Sequence, residues 1–243
     1  MWDIPFLIKI DTMTTIAERL TSTHNRIEQA AIHAHRLPEE INLLAVSKTK
    51  PASQIIEAYQ SGQRLFGENY VQEGQDKITQ LSPLYPDIEW HFIGPLQSNK
   101  TQIVANCFDW VHTVSRSKIA LRLNDQRPST LEPLNVCIQI NISNEDSKSG
   151  VDATQMLELA QEINQLPNLT LRGLMAIPSA TQDSLLQQKE LSSLNALFDK
   201  LKNRFSQVDT LSVGMSNDLE AAINNGSTMV RIGSAIFGER DYS

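Results

Sequence analysis

Apolar residues first recur at helical spacing between Thr14 and His35, where Ile16, Leu20, Ile27, Ala30 and Ala31 share one face; Pro38 closes the segment. Beyond Pro38 the rhythm changes. Short runs rich in Val, Ile and Leu alternate with helical patterns, each pair taking roughly 25 to 30 residues, as βα units of a parallel sheet do. The predicted strands are Ile41–Ser47, Gln63–Phe66, Glu89–Ile93, Asp109–Thr113, Leu134–Ile142, Leu169–Ala176, Thr210–Val213 and Met229–Ile232. Between the sixth and seventh, Leu194, Phe198, Leu201 and Phe205 fall on one face of a long helix. Between the fifth and sixth, Met156, Leu159, Ala160, Ile163 and Leu166 do the same, with Asp152 as the expected N-cap.

Eight strands alternating with helices predict an α/β fold: a single (β/α)8 TIM barrel with an extra N-terminal helix. An open doubly wound sheet is the alternative. No linker or repeat divides the chain, so residues 13–243 read as one domain. Residues 1–12 read as a variable N-terminal extension, or even an upstream start, because Met13 begins a better-formed helix than anything before it.

Composition narrows the classes. With 40% apolar and 20% charged residues over 243 positions, the chain has the make-up of a packed domain rather than a disordered one. A net charge of −7 and the lack of any Lys/Arg block argue against nucleic acid. No apolar run approaches the roughly 20 residues of a membrane span, and Asp3 and Pro5 sit where a secretory signal needs positive charge and a continuous apolar run. Cys107 and Cys137 have no ligand or CxxC spacing and read as buried thiols of a reducing compartment. The expected location is the cytoplasm. No HExxH or other metal-ligand spacing occurs, so no metal is expected.

In a barrel of this kind the active face is made by the loops after the strands, and the conspicuous polar residues fall there. Lys48 ends the first strand, Glu68 and Asn69 follow the second, Asn141 and Ser143 end the fifth, and Met175 ends the sixth. Gly214–Asn217 follows the seventh and Arg231, Gly233 and Ser234 close the eighth. Either glycine-serine loop alone reads as an ordinary turn. Together, after strands seven and eight, they form the expected phosphate cradle, to which Ser216 and Ser234 add hydroxyl donors.

Lys48 follows a buried run, where desolvation lowers a lysine's pKa and frees its amine to attack an aldehyde. Lys50 has the same strand parity, and spacing alone does not choose between them. An amine beside a phosphate cradle suits pyridoxal 5′-phosphate, and equally a phosphosugar. His91 and His112 are expected as packed, hydrogen-bonded histidines rather than acid–base groups. Glu68 is expected to pair with a basic residue across the mouth, and Lys100 and Lys148 to be solvated loop charges.

Several long strings then carry a resemblance: Leu44-Ala-Val-Ser-Lys48-Thr-Lys-Pro51, Phe66-Gly-Glu-Asn69-Tyr-Val-Gln-Glu73, Trp90-His-Phe-Ile-Gly-Pro-Leu-Gln-Ser-Asn-Lys100, Ser147-Lys-Ser-Gly150, Arg172-Gly-Leu-Met-Ala-Ile-Pro178, Ser212-Val-Gly-Met-Ser216 and Val230-Arg-Ile-Gly-Ser-Ala-Ile-Phe-Gly238. In order, from about residue 14 to the C-terminus, they resemble the YggS/PROSC family of pyridoxal phosphate homeostasis proteins. The resemblance implies a barrel of the alanine racemase N-terminal type (fold type III), with pyridoxal 5′-phosphate held as a Schiff base on Lys48, which decides against Lys50. It implies phosphate contacts from Ser216, Gly233 and Ser234, Arg231 facing the pyridine nitrogen, and Asn69 and Met175 beside the ring.

A guanidinium can only donate, so the ring nitrogen opposite Arg231 is left neutral and carbanion chemistry weakly supported. Alanine racemases add a β-domain with a second catalytic base, whereas this sequence ends at Ser243 just after the eighth unit, so an open site is expected. The function expected is that of a regulator that holds and releases the cofactor, with at most weak activity of its own. It is expected to be a monomer in transient contact with apo-enzymes that use the cofactor. The alternatives are a racemase-like amino-acid enzyme and a cofactor-free phosphosugar barrel.

Overall fold

A computed structural model describes residues 15–143, 145, 149–181 and 183–239. Eight parallel strands close on themselves in sequence order: β1 (Asn42–Val46), β2 (Leu65–Glu68), β3 (Glu89–Phe92), β4 (Trp110–Val114), β5 (Leu134–Ile140), β6 (Leu169–Ala176), β7 (Thr210–Ser212) and β8 (Met229–Ile232). β8 pairs back to β1, with Leu44 opposite Arg231. The closed barrel, rather than the open sheet, is the architecture.

Around it lie α2 (Ala52–Gln60), α3 (Val71–Leu81), α4 (Thr101–Cys107), α5 (Ser117–Gln126), α6 (Met156–Ile163), α7 (Ser184–Lys202), α8 (Leu219–Asn224) and the short α9 (Ser234–Phe237), preceded by α1 (Ile16–His33). The proposed extension at residues 1–12 lies outside the described residues, as do Met13 and Lys148.

Several boundaries differ from expectation for identifiable reasons. α1 starts behind Thr15, which forms a capping box with Glu18. It stops before Pro38, because His35 adopts a left-handed φ of 55° that turns the chain out of the helix. β2 runs two residues later than predicted: the Gln63 side chain donates to the Leu43 and Leu65 carbonyls, while Glu68 is fully buried against Ser47 and Lys77. Asp152 does not cap α6; its carboxylate closes the preceding turn on Thr154, and Gln155 holds the cap position. Phe205 lies beyond the end of α7 yet is still buried. Cys137 is a buried thiol as expected, whereas Cys107, at the end of α4, is only partly covered.

Apolar packing has two compartments. The larger fills the space between barrel wall and helices, where Leu, Ile, Val and Phe from outward strand positions meet the helix stripes. The smaller lies inside the barrel and consists of Trp110, Cys137 and Met175. Leu44 and Met229 are also buried outside the larger cluster, and other inward positions carry polar groups, including His91, His112, Ser212 and Arg231, each at most 5% exposed. Buried polar groups at this density need mutual hydrogen bonds, which they have.

Candidate functional site

A cavity of about 600 Å³ opens at the C-terminal ends of the strands, and Lys48, Asn69, Met175, Ser216, Arg231, Gly233 and Ser234 all line it. Asn42, Leu44 and Val46 share the strand parity of Lys48, so β1 hands the lysine to the inner face of the barrel. The chain then turns, with Thr49 at φ 62°, an unfavourable value for a β-branched residue.

What holds that turn is a buried ion cluster. The Lys77 ammonium donates to Glu68 Oε1 (2.8 Å), Glu73 Oε1 (2.7 Å) and the Ser47 carbonyl (2.8 Å). Glu73 in turn accepts the Thr49 N–H (2.5 Å), and the Ser47 hydroxyl donates to Glu68 (2.6 Å). Burial pushes the Glu68 carboxyl up, and the Lys77 charge opposes that rise. Lys77 is thus the basic partner expected for Glu68, but it lies behind the lysine-bearing turn rather than across the mouth. Lys50 also reaches the cavity, with its ammonium on the Glu239 carbonyl at 2.6 Å.

Arg231 is enclosed. Its Nη1 donates to the Ser212 carbonyl (2.6 Å) and hydroxyl (2.9 Å), and its Nη2 to the Ala176 carbonyl (2.9 Å). Burial pushes its pKa down to about 10, which leaves it charged at neutral pH. None of its three hydrogen-bond acceptors is an acid, and among the described residues it has no ion-pair partner. Asp218 acts on it only through its charge, so the cavity wall carries a buried guanidinium held by neutral acceptors.

The loop after β7 turns at Gly214, where φ is 103°, and brings Ser216 to the rim. Arg26 of α1 braces that loop by donating to the Ser216 carbonyl (2.8 Å) while pairing with Glu220 (2.6 Å). Gly94 lies so close to the Asn69 carbonyl that a Cβ there would collide with it, so glycine lets the two loops meet.

All seven candidate residues therefore meet in one cavity. Lys77, Glu73 and Arg26 are the supporting residues that sequence reasoning missed; helical spacing of Glu73 and Lys77 was the available signal for two of them. Gln139, Thr113 and Asn141 also line the cavity. His91 and His112 are fully buried and hydrogen-bonded to each other at 2.9 Å, as expected. Lys100 is partly buried in the loop after β3.

The fold and the cavity together define a (β/α)8 barrel with an amine, a buried guanidinium and an anion cradle at the C-terminal mouth. Residues 20–241 match the sequence profile of the alanine racemase N-terminal domain. The chain is 58% identical over 232 residues to the pyridoxal phosphate homeostasis protein of Escherichia coli K12, covering 95% of this chain and 99% of that one. It is 56% identical to the protein of the same name from Vibrio alginolyticus, again over 95% of this chain and all of that one. Among solved structures it is similar to PipY of Synechococcus elongatus with PLP bound (TM-score 0.80, 34% identity, 92% of this chain and 100% of that one). It shares its fold with alanine racemase from Corynebacterium glutamicum (TM-score 0.69, 15% identity, 92% of this chain and 62% of that one). The chain belongs to the pyridoxal phosphate homeostasis proteins of the alanine racemase N-terminal domain family.

Proposed function

We propose that the chain binds pyridoxal 5′-phosphate at the barrel mouth, retains it through Lys48, and acts in the intracellular homeostasis of this cofactor. One observation carries the reading: a single cavity joins the Lys48 amine, the buried guanidinium of Arg231 and the donors of the β7 and β8 loops. The PLP-bound PipY structure and the names of the relatives support it.

The donor set fits such a molecule. The backbone N–H groups of Ser216, Asn217 and Gly233 and the hydroxyls of Ser216 and Ser234 have no acceptor among the described residues, which leaves them for phosphate oxygens. When bound, pyridoxal phosphate supplies an aldehyde that an amine captures reversibly. Lys48 holds such an amine at the cavity wall, on a turn fixed by the Lys77 cluster. Arg231 donates and does not accept, so it suits an unprotonated ring nitrogen and disfavours carbanion chemistry. Asn69 and Met175 wall the ring. The donor-only contact at the ring nitrogen supports a carrier over a racemase-like enzyme, and we take that carrier to be cytoplasmic, monomeric and in transient contact with apo-enzymes.

Borohydride reduction of the protein incubated with pyridoxal phosphate, followed by mass mapping, is expected to place the adduct on Lys48. Lys48→Ala is expected to remove both the adduct and the visible absorption band. A colourless protein with no adduct overturns the cofactor reading and favours the phosphosugar barrel; an adduct on Lys50 with Lys48 untouched overturns the assignment of the lysine. Racemisation of an L-amino acid lost in Lys48→Ala would establish the enzyme instead.

A further inference from the structure

The polar groups inside the barrel form one continuous chain. Arg231 Nη1 contacts the Ser212 hydroxyl at 2.9 Å, which contacts His112 Nδ1 at 2.9 Å. His112 Nε2 contacts His91 Nδ1 at 2.9 Å, and His91 Nε2 contacts Glu89 Oε1, also at 2.9 Å. The chain links strands β8, β7, β4 and β3 and runs from the cofactor cavity to the other end of the barrel. There the Glu89 side chain, 43% exposed, lines a second cavity of about 690 Å³ that also includes Trp110, Arg172 and Asp209.

The two ends fix the direction of every link. A guanidinium has only hydrogens to give, and an ionised carboxylate only lone pairs. Arg231 therefore donates to the Ser212 hydroxyl, whose single proton points on to His112 Nδ1. His112 then carries its proton on Nε2 and donates to His91 Nδ1, and His91 donates from Nε2 to Glu89. With both imidazoles neutral, only this arrangement satisfies every member. One added proton inverts it. An imidazolium at His91 would donate to His112 Nε2, His112 would donate from Nδ1 to Ser212, and the hydroxyl beside Arg231 would receive two donors and give up its own acceptor.

We infer that Glu89, His91, His112 and Ser212 are positioning residues for Arg231: the carboxylate at the opposite end of the barrel sets the polarity of the hydroxyl that orients the guanidinium in the cofactor cavity. Its effect on bound pyridoxal phosphate rests on the function proposed above; the chain itself does not. His112 lies between His91 and Arg231, and burial, joined by the Arg231 charge, opposes its protonation. His91 faces Glu89 on its own strand and stacks on Trp110 (centroids 5.1 Å apart), whose ring is also covered by Arg172 of β6; Asp109 lies nearby. Burial pushes the Glu89 carboxyl up, but its contacts with His91, foremost the hydrogen bond, and then Trp110 and Arg172 outweigh it and hold the group ionised.

Long-range ¹H–¹⁵N correlation on cofactor-free protein with labelled histidine reads the tautomers directly. Both rings are expected to show a protonated Nε2 and an imine-type Nδ1 at neutral pH. Glu89→Gln, which can accept or donate, is expected to produce a mixture of tautomers at His112, two links away. A wild-type His112 with its proton on Nδ1, or an unchanged His112 in Glu89→Gln, overturns the inference. In protein loaded with pyridoxal phosphate, Glu89→Gln is expected to shift the visible band, and Ser212→Ala, which cuts the chain, to abolish that shift. A shift that survives Ser212→Ala overturns the coupling to Arg231. Failure to load leaves the tautomer result standing and counts against the proposed function alone.

Discussion

His112 shows how one side chain's surroundings turn into a stability law. Burial, first, and the nearby His91 and Arg231 hold its pKa well below the ordinary 6.5. As pH falls through the ordinary histidine range, the unfolded chain takes up this proton and the native one does not. Native stability therefore declines on acidification, with a limiting slope of about 1.4 kcal/mol per pH unit for one group, until the native form is also protonated. Urea unfolding between about pH 7 and about pH 5 is expected to show this decline in the wild type and a shallower one in His112→Asn. Equal slopes would mean that His112 is not held neutral. The loop serines and glycines of the cavity were legible in the sequence because they recur after both the seventh and the eighth strand; the choice of Lys48 over Lys50 and the roles of Asn69, Met175 and Arg231 came from the family resemblance, since spacing alone left the two lysines equal. The polarity of His112 was not, since it depends on Glu89 and Arg231, far apart in the chain.

At the scale of elements, alternation located the strands well. β6 and β8 have the predicted bounds: each keeps an apolar residue at every outward position, with Leu169, Leu171, Leu174 and Ala176 in β6 and Val230 and Ile232 in β8 in the wall–helix core. The errors arose where a polar side chain substitutes for backbone pairing: Gln63 donates from its side chain just ahead of β2, which starts two residues late, and Asp152 closes a turn instead of capping a helix. The role of α1 was invisible for the same reason. Its Arg26 reaches the β7–α8 loop by a contact 190 residues away in sequence, holding the Ser216 carbonyl while pairing with Glu220. The pair is well exposed, with side chains 40% and 55% accessible, so its loss costs at most about 1 kcal/mol of stability. Arg26→Ala is nonetheless expected to loosen the phosphate loop. Affinity for pyridoxal phosphate should fall about 3- to 10-fold, equivalent to about 0.6–1.4 kcal/mol, with affinity for pyridoxal, which lacks the phosphate, unchanged. Titrating both ligands checks this, and an equal loss for both would show that the brace acts elsewhere.

For the molecule as a whole, the question is how far the mouth and the closed inner layer form one cooperative unit. Met175 belongs to both: it lines the cavity at the mouth and packs with Cys137 and Trp110 inside the barrel. Cys137 is fully buried, and burial pushes its thiol far up, so in the closed barrel it has neither access nor thiolate. Cys107, on the outer side at the end of α4, is half-covered, and burial raises its thiol as well. A thiol reagent should therefore reach Cys107 through local motion and Cys137 only when the barrel opens. The labelling rate of Cys137 is expected to rise with urea at the full slope of global unfolding, and that of Cys107 more shallowly. If the barrel opens as one unit, a ligand at the mouth protects the interior by mass action. Pyridoxal phosphate at about 100 times its Kd should slow Cys137 labelling about 100-fold, equivalent to about 2.7 kcal/mol, and leave Cys107 nearly unaffected. Labelling of Cys137 that ignores the ligand would place the opening of the inner layer below the site and independent of it, and would separate the cavity at the mouth from the layer beneath it.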